Sequence, residues 1–194
     1  MTAHQMFHYA GLLAYVNAVA NSIGFVSLIL FFSVGEPFGT INDSASVFFA
    51  LSLLPLALTL HHLHRSRFLP LSLVVATIGT VAMITAAILQ ALLMFGAVQF
   101  GQTLRAVLVA NGVIGVWLVV NGMLARASAT LPPRLAEVSI VAGIGLVLVI
   151  VGFWIGGQQH PLTAVGGLVA FIGLLIWAIW FGRLLRRGSV TPPR

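Results

Sequence analysis

The stretch LTAVGGLVAFIGLLIWAIWFGRL, residues Leu162–Leu184, decides the fold of this chain, because it carries no charged residue before Arg183. An α-helix needs about 20 predominantly apolar residues to cross the hydrocarbon core of a bilayer. The same pattern occurs five more times, so the sequence predicts an all-α polytopic membrane protein with six transmembrane helices. The predicted spans are Phe7–Val34, Ser44–His62, Pro70–Ala97, Leu104–Leu124, Leu135–Gly156 and Leu162–Leu184.

The composition indicates the same class of protein. Hydrophobic residues make up 60% of the 194 residues and charged residues only 6%, whereas soluble domains carry about 25% charged residues. Such a chain has too few polar side chains to cover a surface in water, so its outer surface is expected to face lipid. The absence of cysteine excludes disulfides, thiolate metal sites and cysteine-ligated iron–sulfur clusters.

The basic residues predict the orientation of the spans. Only Arg105 lies near the same span ends as Glu36 and Asp43. Because cytoplasmic loops are rich in Lys and Arg, both termini are expected on the cytoplasmic side. The net charge of +6 then reflects topology, and no nucleic-acid partner is expected. Eight of the nine arginines lie at the opposite span ends: Arg65, Arg67, Arg126, Arg134, Arg183, Arg186, Arg187 and Arg194.

The spacing of three of these arginines predicts how the spans are grouped. Arg65, Arg126 and Arg187 lie 61 residues apart each time. This spacing divides the chain into three consecutive helical hairpins. They are either true repeats related by an axis along the membrane normal, or hairpins whose common length follows from membrane thickness. Residues 1–187 are expected to form a single transmembrane domain, and residues 188–194 a short cytoplasmic tail.

Polar side chains inside the spans are the first candidates for a site, because they are costly in lipid and often functional. Asn17 and Asn21 lie four residues apart and are expected to share a helix face. One reading is interhelical hydrogen bonding, and the other is a small polar cavity for a neutral ligand. Without a mid-membrane carboxylate, proton- or sodium-coupled pumping is disfavoured. The candidates are Asn17, Asn21, Gln90, Asn111 and Asn121.

Histidines near the predicted cytoplasmic face suggest a second site. His4 and His8 are an i,i+4 pair, and His61 and His64 are an i,i+3 pair, so each pair shares a helix face. The first two spans form a hairpin, which makes a four-histidine site for zinc, copper or nickel geometrically possible. A haem held by two histidines is also left open, and no cofactor is otherwise expected.

The alternative reading of this region is a cationic collar that contacts anionic lipid headgroups. It would use Arg65, Arg67, Arg183, Arg186 and Arg187. Other chemistry is excluded more simply, because the sequence contains no glycine-rich phosphate loop, no Ser-His-Asp set in one compartment and no paired carboxylates.

The residues therefore favour a non-enzymatic integral membrane protein. We expect a small-ligand or lipid binder, a sensor, or an accessory subunit of a membrane complex. A small-solute transporter or channel is the second hypothesis, and a metal- or haem-binding protein is the third. The expected partners are membrane lipids, with other membrane subunits or self-association left open.

Two segments carry a resemblance to known proteins. The opening Tyr9-Ala10-Gly11-Leu12-Leu13 and the loop Gly35–Asp43 resemble a group of six-helix bacterial integral membrane proteins of unknown function. The similarity covers the first two predicted helices best and extends to the rest through topology. It implies a bacterial plasma (inner) membrane, and it implies no catalytic or binding residues.

Overall fold

The computed structural model describes the backbone of residues 3–190 and the side chains of residues 5–190. Over this range all regular secondary structure is helical. The all-helical architecture is therefore confirmed, with five helices in place of the six predicted. The side chain of His4 and residues 191–194, including Arg194, lie outside the described range. The helices are α1 (Ala3–Val34), α2 (Phe38–Met94), α3 (Phe100–Ser128), α4 (Pro133–Gly156) and α5 (Pro161–Arg186).

All five helices are long and apolar enough to cross a membrane. The shortest, α4, has 24 residues and is about 36 Å long, against a hydrocarbon core of about 30 Å. Their outward faces are apolar too, since Val81, Ile88 and Ile155 are each more than half exposed. Extended exposed apolar surface is typical of contact with lipid or with another protein.

Helix α2 joins two predicted spans in one element of 57 residues. Phe68 interrupts it with non-helical backbone angles (φ −135°, ψ 45°), close to Pro70, which lacks a backbone N–H and disfavours helical geometry in the residue before it. Ser44 Oγ lies 3.1 Å from Met94 Sδ, although a straight helix would separate these residues by about 75 Å. The two arms of α2, residues 38–67 and 69–94, therefore fold back on one another.

The start of α2 differs from the prediction. The helix begins at Phe38 after Pro37, with no side-chain cap on Pro37, so Ser44, the predicted start of the second span, lies inside the helix. The carboxylate of Glu36 instead accepts hydrogen bonds from the backbone N–H of Thr40 at 3.3 Å and from its hydroxyl at 3.2 Å. An acceptor at this position satisfies one of the unpaired N–H groups of the first turn.

The helices form a closed ring, because each packs on the next along the chain and α5 packs on α1. Glycines allow the closest approaches. A Cβ on Gly166 of α5 would lie 2.8 Å from the carbonyl oxygen of Gly145 on α4, and a Cβ on Gly115 of α3 would lie 2.7 Å from that of Gly143. Small residues at such contacts are typical of helix packing in membranes, where lipid offers no hydrophobic drive for association.

Large buried side chains from the first arm of α2, α3 and α5 belong to one core cluster. Leu53, Ile114, Trp177 and Phe181 are almost completely buried. The Trp117 and Trp177 rings meet edge to face with centroids 6.3 Å apart, a favourable arrangement for aromatic pairs. All five helices contribute side chains to this core.

A candidate ligand cavity between the helices

A cavity of about 240 Å³ lies between the helices, and all five contribute to its wall. Its polar lining comprises Asn21 on α1, Asn42 and Ser46 on α2, and Asn111 on α3. These side chains come from the half of the bundle opposite the arginine-rich end. No charged side chain occurs among its described lining residues, so the cavity suits an uncharged molecule.

One wall of the cavity is a flat aromatic surface. Phe25 of α1 and Phe171 of α5 stack with ring centroids 4.0 Å apart and planes 5° from parallel. Gly167, one turn before Phe171 on α5, leaves open space, because a Cβ there would meet only Val149 Cγ2, at 4.0 Å. Aromatic and aliphatic walls with a few polar groups are typical of small-molecule sites.

The polar groups of the cavity are only partly used by the protein. Asn21 Nδ2 donates to the carbonyl of Phe171 at 3.1 Å, and Asn42 Nδ2 donates to the carbonyl of Gly24 at 2.8 Å. These bonds leave both amide oxygens as acceptors. The side-chain amide of Asn111 makes no hydrogen bond to any described residue. The cavity therefore offers one free amide and two further amide oxygens to a ligand.

Two of the five predicted polar residues, Asn21 and Asn111, line the cavity. Asn17 is fully buried and donates to the Phe49 carbonyl at 2.9 Å and to Ser52 Oγ at 3.0 Å. Asn121 donates to the Trp117 carbonyl one turn earlier, at 2.8 Å. Both side chains donate hydrogen bonds between or within helices, and Asn17 Oδ1 is buried without a partner in the described structure. Ligand binding by these two residues stays a prediction.

Gln90 also lies outside the lining of the cavity, and its Oε1 is buried without a hydrogen-bond partner in the described structure. Two lining residues, Asn42 and Ser46, were missed by sequence reasoning. Asn42 lies outside the predicted spans, because the start of the second span was placed at Ser44. With the helix beginning at Phe38, both side chains lie beyond its first turn and reach the cavity.

The predicted histidine site is described only in part. His8 packs edge-on against Tyr9, with ring centroids 6.2 Å apart, and His61 Nδ1 lies 3.1 Å from Ser72 Oγ. Among the side chains of residues 5–190, no group of three or more His, Asp or Glu could hold a metal ion. Because the side chain of His4 lies outside that range, metal binding stays a prediction.

His64 has a distinct environment at the same end of the bundle. Its side chain is fully buried, and Nδ1 lies 3.4 Å from Ser128 Oγ and 3.3 Å from Thr130 Oγ1. Its Nε2 is buried and has no hydrogen-bond partner in the part of the chain that is described. These contacts tie the first arm of α2 to the end of α3.

The arginines predicted to contact headgroups are all exposed: Arg65, Arg67, Arg183, Arg186 and Arg187. Arg67 Nη1 donates to the Ala127 carbonyl at 2.7 Å, and the Arg186 guanidinium lies 5.9 Å from the centre of the Tyr15 ring. The first contact joins the kink of α2 to the end of α3, and the second joins the end of α5 to α1. The five arginines together are called the cationic rim. Headgroup contact by this rim stays a prediction.

The fold and the cavity together define a class: an all-helical protein whose membrane-length helices surround an uncharged, mainly apolar cavity. Comparison of the chain with protein family models, curated proteins and solved structures finds no match in any of the three. The resemblance carried by Tyr9–Leu13 and Gly35–Asp43 therefore also stays a prediction.

Proposed function

We propose that this protein binds a small, uncharged, mainly apolar ligand in the cavity between its helices. The observation that carries the proposal is the unpaired Asn111 amide in a cavity lined by all five helices and by no described charge. An engineered apolar cavity of about 150 Å³ holds benzene, and typical ligand pockets measure about 300–1,000 Å³. A cavity of about 240 Å³ fits a ligand slightly larger than benzene with one or two hydrogen-bonding groups.

We also propose how the chain lies in the membrane. The chain crosses a bacterial plasma membrane six times, with the arms of α2 as separate crossings and both termini in the cytoplasm. Three findings support this: the non-helical residue Phe68, the contact of Ser44 with Met94, and the exposed arginines at one end of the bundle. In this arrangement the cavity lies in the outer half of the membrane.

Ligand binding is tested by thermal unfolding of the purified protein with matched probes. Toluene has no hydrogen-bonding group, benzyl alcohol and indole each have one, and benzoate is charged. We expect stabilisation by the three uncharged probes and none by benzoate. Asn111→Leu is expected to weaken benzyl alcohol binding by about fivefold to tenfold, the effect of one hydrogen bond of about 1 kcal/mol, and to leave toluene binding unchanged.

The outcome separates the proposal from its alternatives. If no uncharged probe of this size stabilises the protein, ligand binding at this cavity is wrong. If Asn111→Leu weakens toluene and benzyl alcohol equally, the amide does not contact the ligand. Faster entry of a polar, uncharged solute into liposomes that contain the protein than into protein-free liposomes would instead favour the transporter hypothesis.

The topology is tested with single cysteines, since the native chain has none. Gln159 lies between α4 and α5, and Ser66 lies beside the kink of α2, both exposed. A thiol reagent that does not cross membranes is expected to label Gln159→Cys on intact cells, and Ser66→Cys only after permeabilisation. Labelling of both on intact cells would contradict six crossings with cytoplasmic termini.

A further inference from the structure

An apolar groove runs along the outside of the bundle between the second arm of α2 and α3. It has a volume of about 660 Å³. Its floor is formed by the small residues Ala82 and Ala110, which are buried, and its rims include Val81 and Val109, which are exposed. A groove with a floor of alanines and walls of branched apolar residues has the shape and chemistry to hold an aliphatic chain.

Arg105 lies at one end of this groove and gives it a charge. Its side chain is exposed, and among the residues that the structure describes no carboxylate forms an ion pair with it. Arg105 follows the start of α3 by five residues, which is about 7.5 Å along the helix. An arginine at this depth extends its guanidinium to the headgroup region while its stem stays in the apolar groove.

A second feature places this end of the groove at the level of lipid headgroups. Arg105, Phe153 and Trp154 line a neighbouring hollow, and Trp154 is 67% exposed. Exposed tryptophans concentrate at the boundary between hydrocarbon and headgroups. From Arg105 to Val113 the groove extends about 12 Å along α3, most of the roughly 15 Å hydrocarbon depth of one leaflet.

We propose that this groove is a binding site for one anionic phospholipid. One acyl chain lies between the second arm of α2 and α3, and the lipid phosphate pairs with the Arg105 guanidinium. Charge complementarity favours an anionic lipid, because the unpaired Arg105 guanidinium lies at the headgroup end of the apolar groove. The site is separate from the cavity and from the arginine rim at the opposite end of the bundle.

Native mass spectrometry of the delipidated protein in a neutral detergent tests the site. We expect one phosphatidylglycerol to bind more tightly than further copies and more tightly than phosphatidylcholine. Arg105→Gln is expected to weaken that first phosphatidylglycerol about fivefold, the effect of one basic residue near an anionic lipid, with phosphatidylcholine unchanged. Arg134→Gln removes an exposed charge at the opposite end, outside the five arginines predicted to contact headgroups, and should leave the first affinity unchanged.

The groove itself is tested by filling it. Ala106 is exposed within the groove, so Ala106→Phe is expected to weaken both lipids at least fivefold without disturbing the helix contacts. Ala164 is equally exposed on α5 and outside the groove, so Ala164→Phe is the matched control. Equal unfolding temperatures would establish that all variants are folded.

An unchanged first affinity in Arg105→Gln or in Ala106→Phe would overturn the proposal. If glycerol phosphate competed for the site as strongly as the intact lipid, the groove would not bind an acyl chain, and Arg105 would form only an anion site. A dimer that forms in place of lipid binding and is abolished by Ala106→Phe would assign the groove to self-association.

Discussion

Substitution of Gly167 tests the cavity most directly. A Cβ at this position would meet only Val149 Cγ2, at 4.0 Å, so the side chain of Gly167→Leu extends into the cavity rather than into a neighbouring helix. Four added carbons, each about the size of a water molecule at ~30 Å³, occupy about 120 Å³. About half of the 240 Å³ remains, which is less than the roughly 150 Å³ that holds benzene.

Gly167→Leu is therefore expected to stabilise the empty protein and to abolish ligand binding. Filling about 120 Å³ at ~24 cal/mol per Å³ contributes up to about 3 kcal/mol, and replacing a helical glycine adds up to about 0.8 kcal/mol. Gly101→Leu is the matched control, because Gly101 is exposed in α3 and a Cβ there would meet nothing within 4 Å. Gly101→Leu is expected to gain at most the stability that comes from replacing a helical glycine.

Thermal unfolding with and without benzyl alcohol measures both effects. At a ligand concentration of about 100 Kd, the wild type and Gly101→Leu should gain about 2.7 kcal/mol, and Gly167→Leu nothing. If Gly167→Leu kept the full ligand-induced stabilisation, the ligand would bind elsewhere. If it unfolded more easily than the wild type, the space beside Gly167 would be filled already.

Two further predictions concern the packing of the helices. In the double variant Ser44→Cys/Met94→Cys, a short thiol crosslinker should join the arms of α2 with near-complete yield, because the native side chains lie 3.1 Å apart; a straight α2 would give no crosslink. Gly166→Ala should lower the unfolding free energy by about 1–3 kcal/mol, because its Cβ would lie 2.8 Å from the Gly145 carbonyl oxygen. Gly167→Ala, its neighbour with open space, should leave the protein as stable or slightly more stable, and equal losses in both would refute the close contact of α4 with α5.

The helical nature of the chain and the approximate helix ends could be predicted from local sequence. A run such as Leu135–Gly156 satisfies its backbone N–H and C=O groups within one segment in an apolar surrounding only when it forms a helix. The predicted start of the last span at Leu162 lies one residue from the observed start at Pro161. Proline and glycine punctuation marks such ends, because these residues act on the backbone within one or two positions.

The continuity of α2 could not be predicted in the same way. Pro70 indicated a boundary, and the interruption lies at Phe68, two residues earlier. At this point the chain could form a loop between two separate helices or a kink within one helix. Which of the two forms depends on contacts across the kink, such as that of His61 with Ser72 at 3.1 Å. Such contacts join residues that sequence reasoning assigned to separate spans.

The composition of the cavity was predictable only in part. Asn17 and Asn21 lie four residues apart on α1 and were expected to act on one face. In the structure Asn17 bonds to α2 through Ser52, whereas Asn21 bonds to α5 through Phe171. A step of four residues moves a side chain by about 6 Å along the helix and 40° around it, enough to change its neighbour in a ring of helices.

The sequence by itself determined that this protein is helical, that its helices match the thickness of a membrane, and that eight of its nine arginines lie at one set of span ends. Those properties follow from hydropathy and charge within single segments. Only the tertiary structure decided which polar side chains meet. Because these helices are apolar on every side, no pattern in the sequence specifies which face of a helix points inward. The rotation of each helix about its axis follows instead from where glycines such as Gly145 and Gly166 allow two backbones to touch.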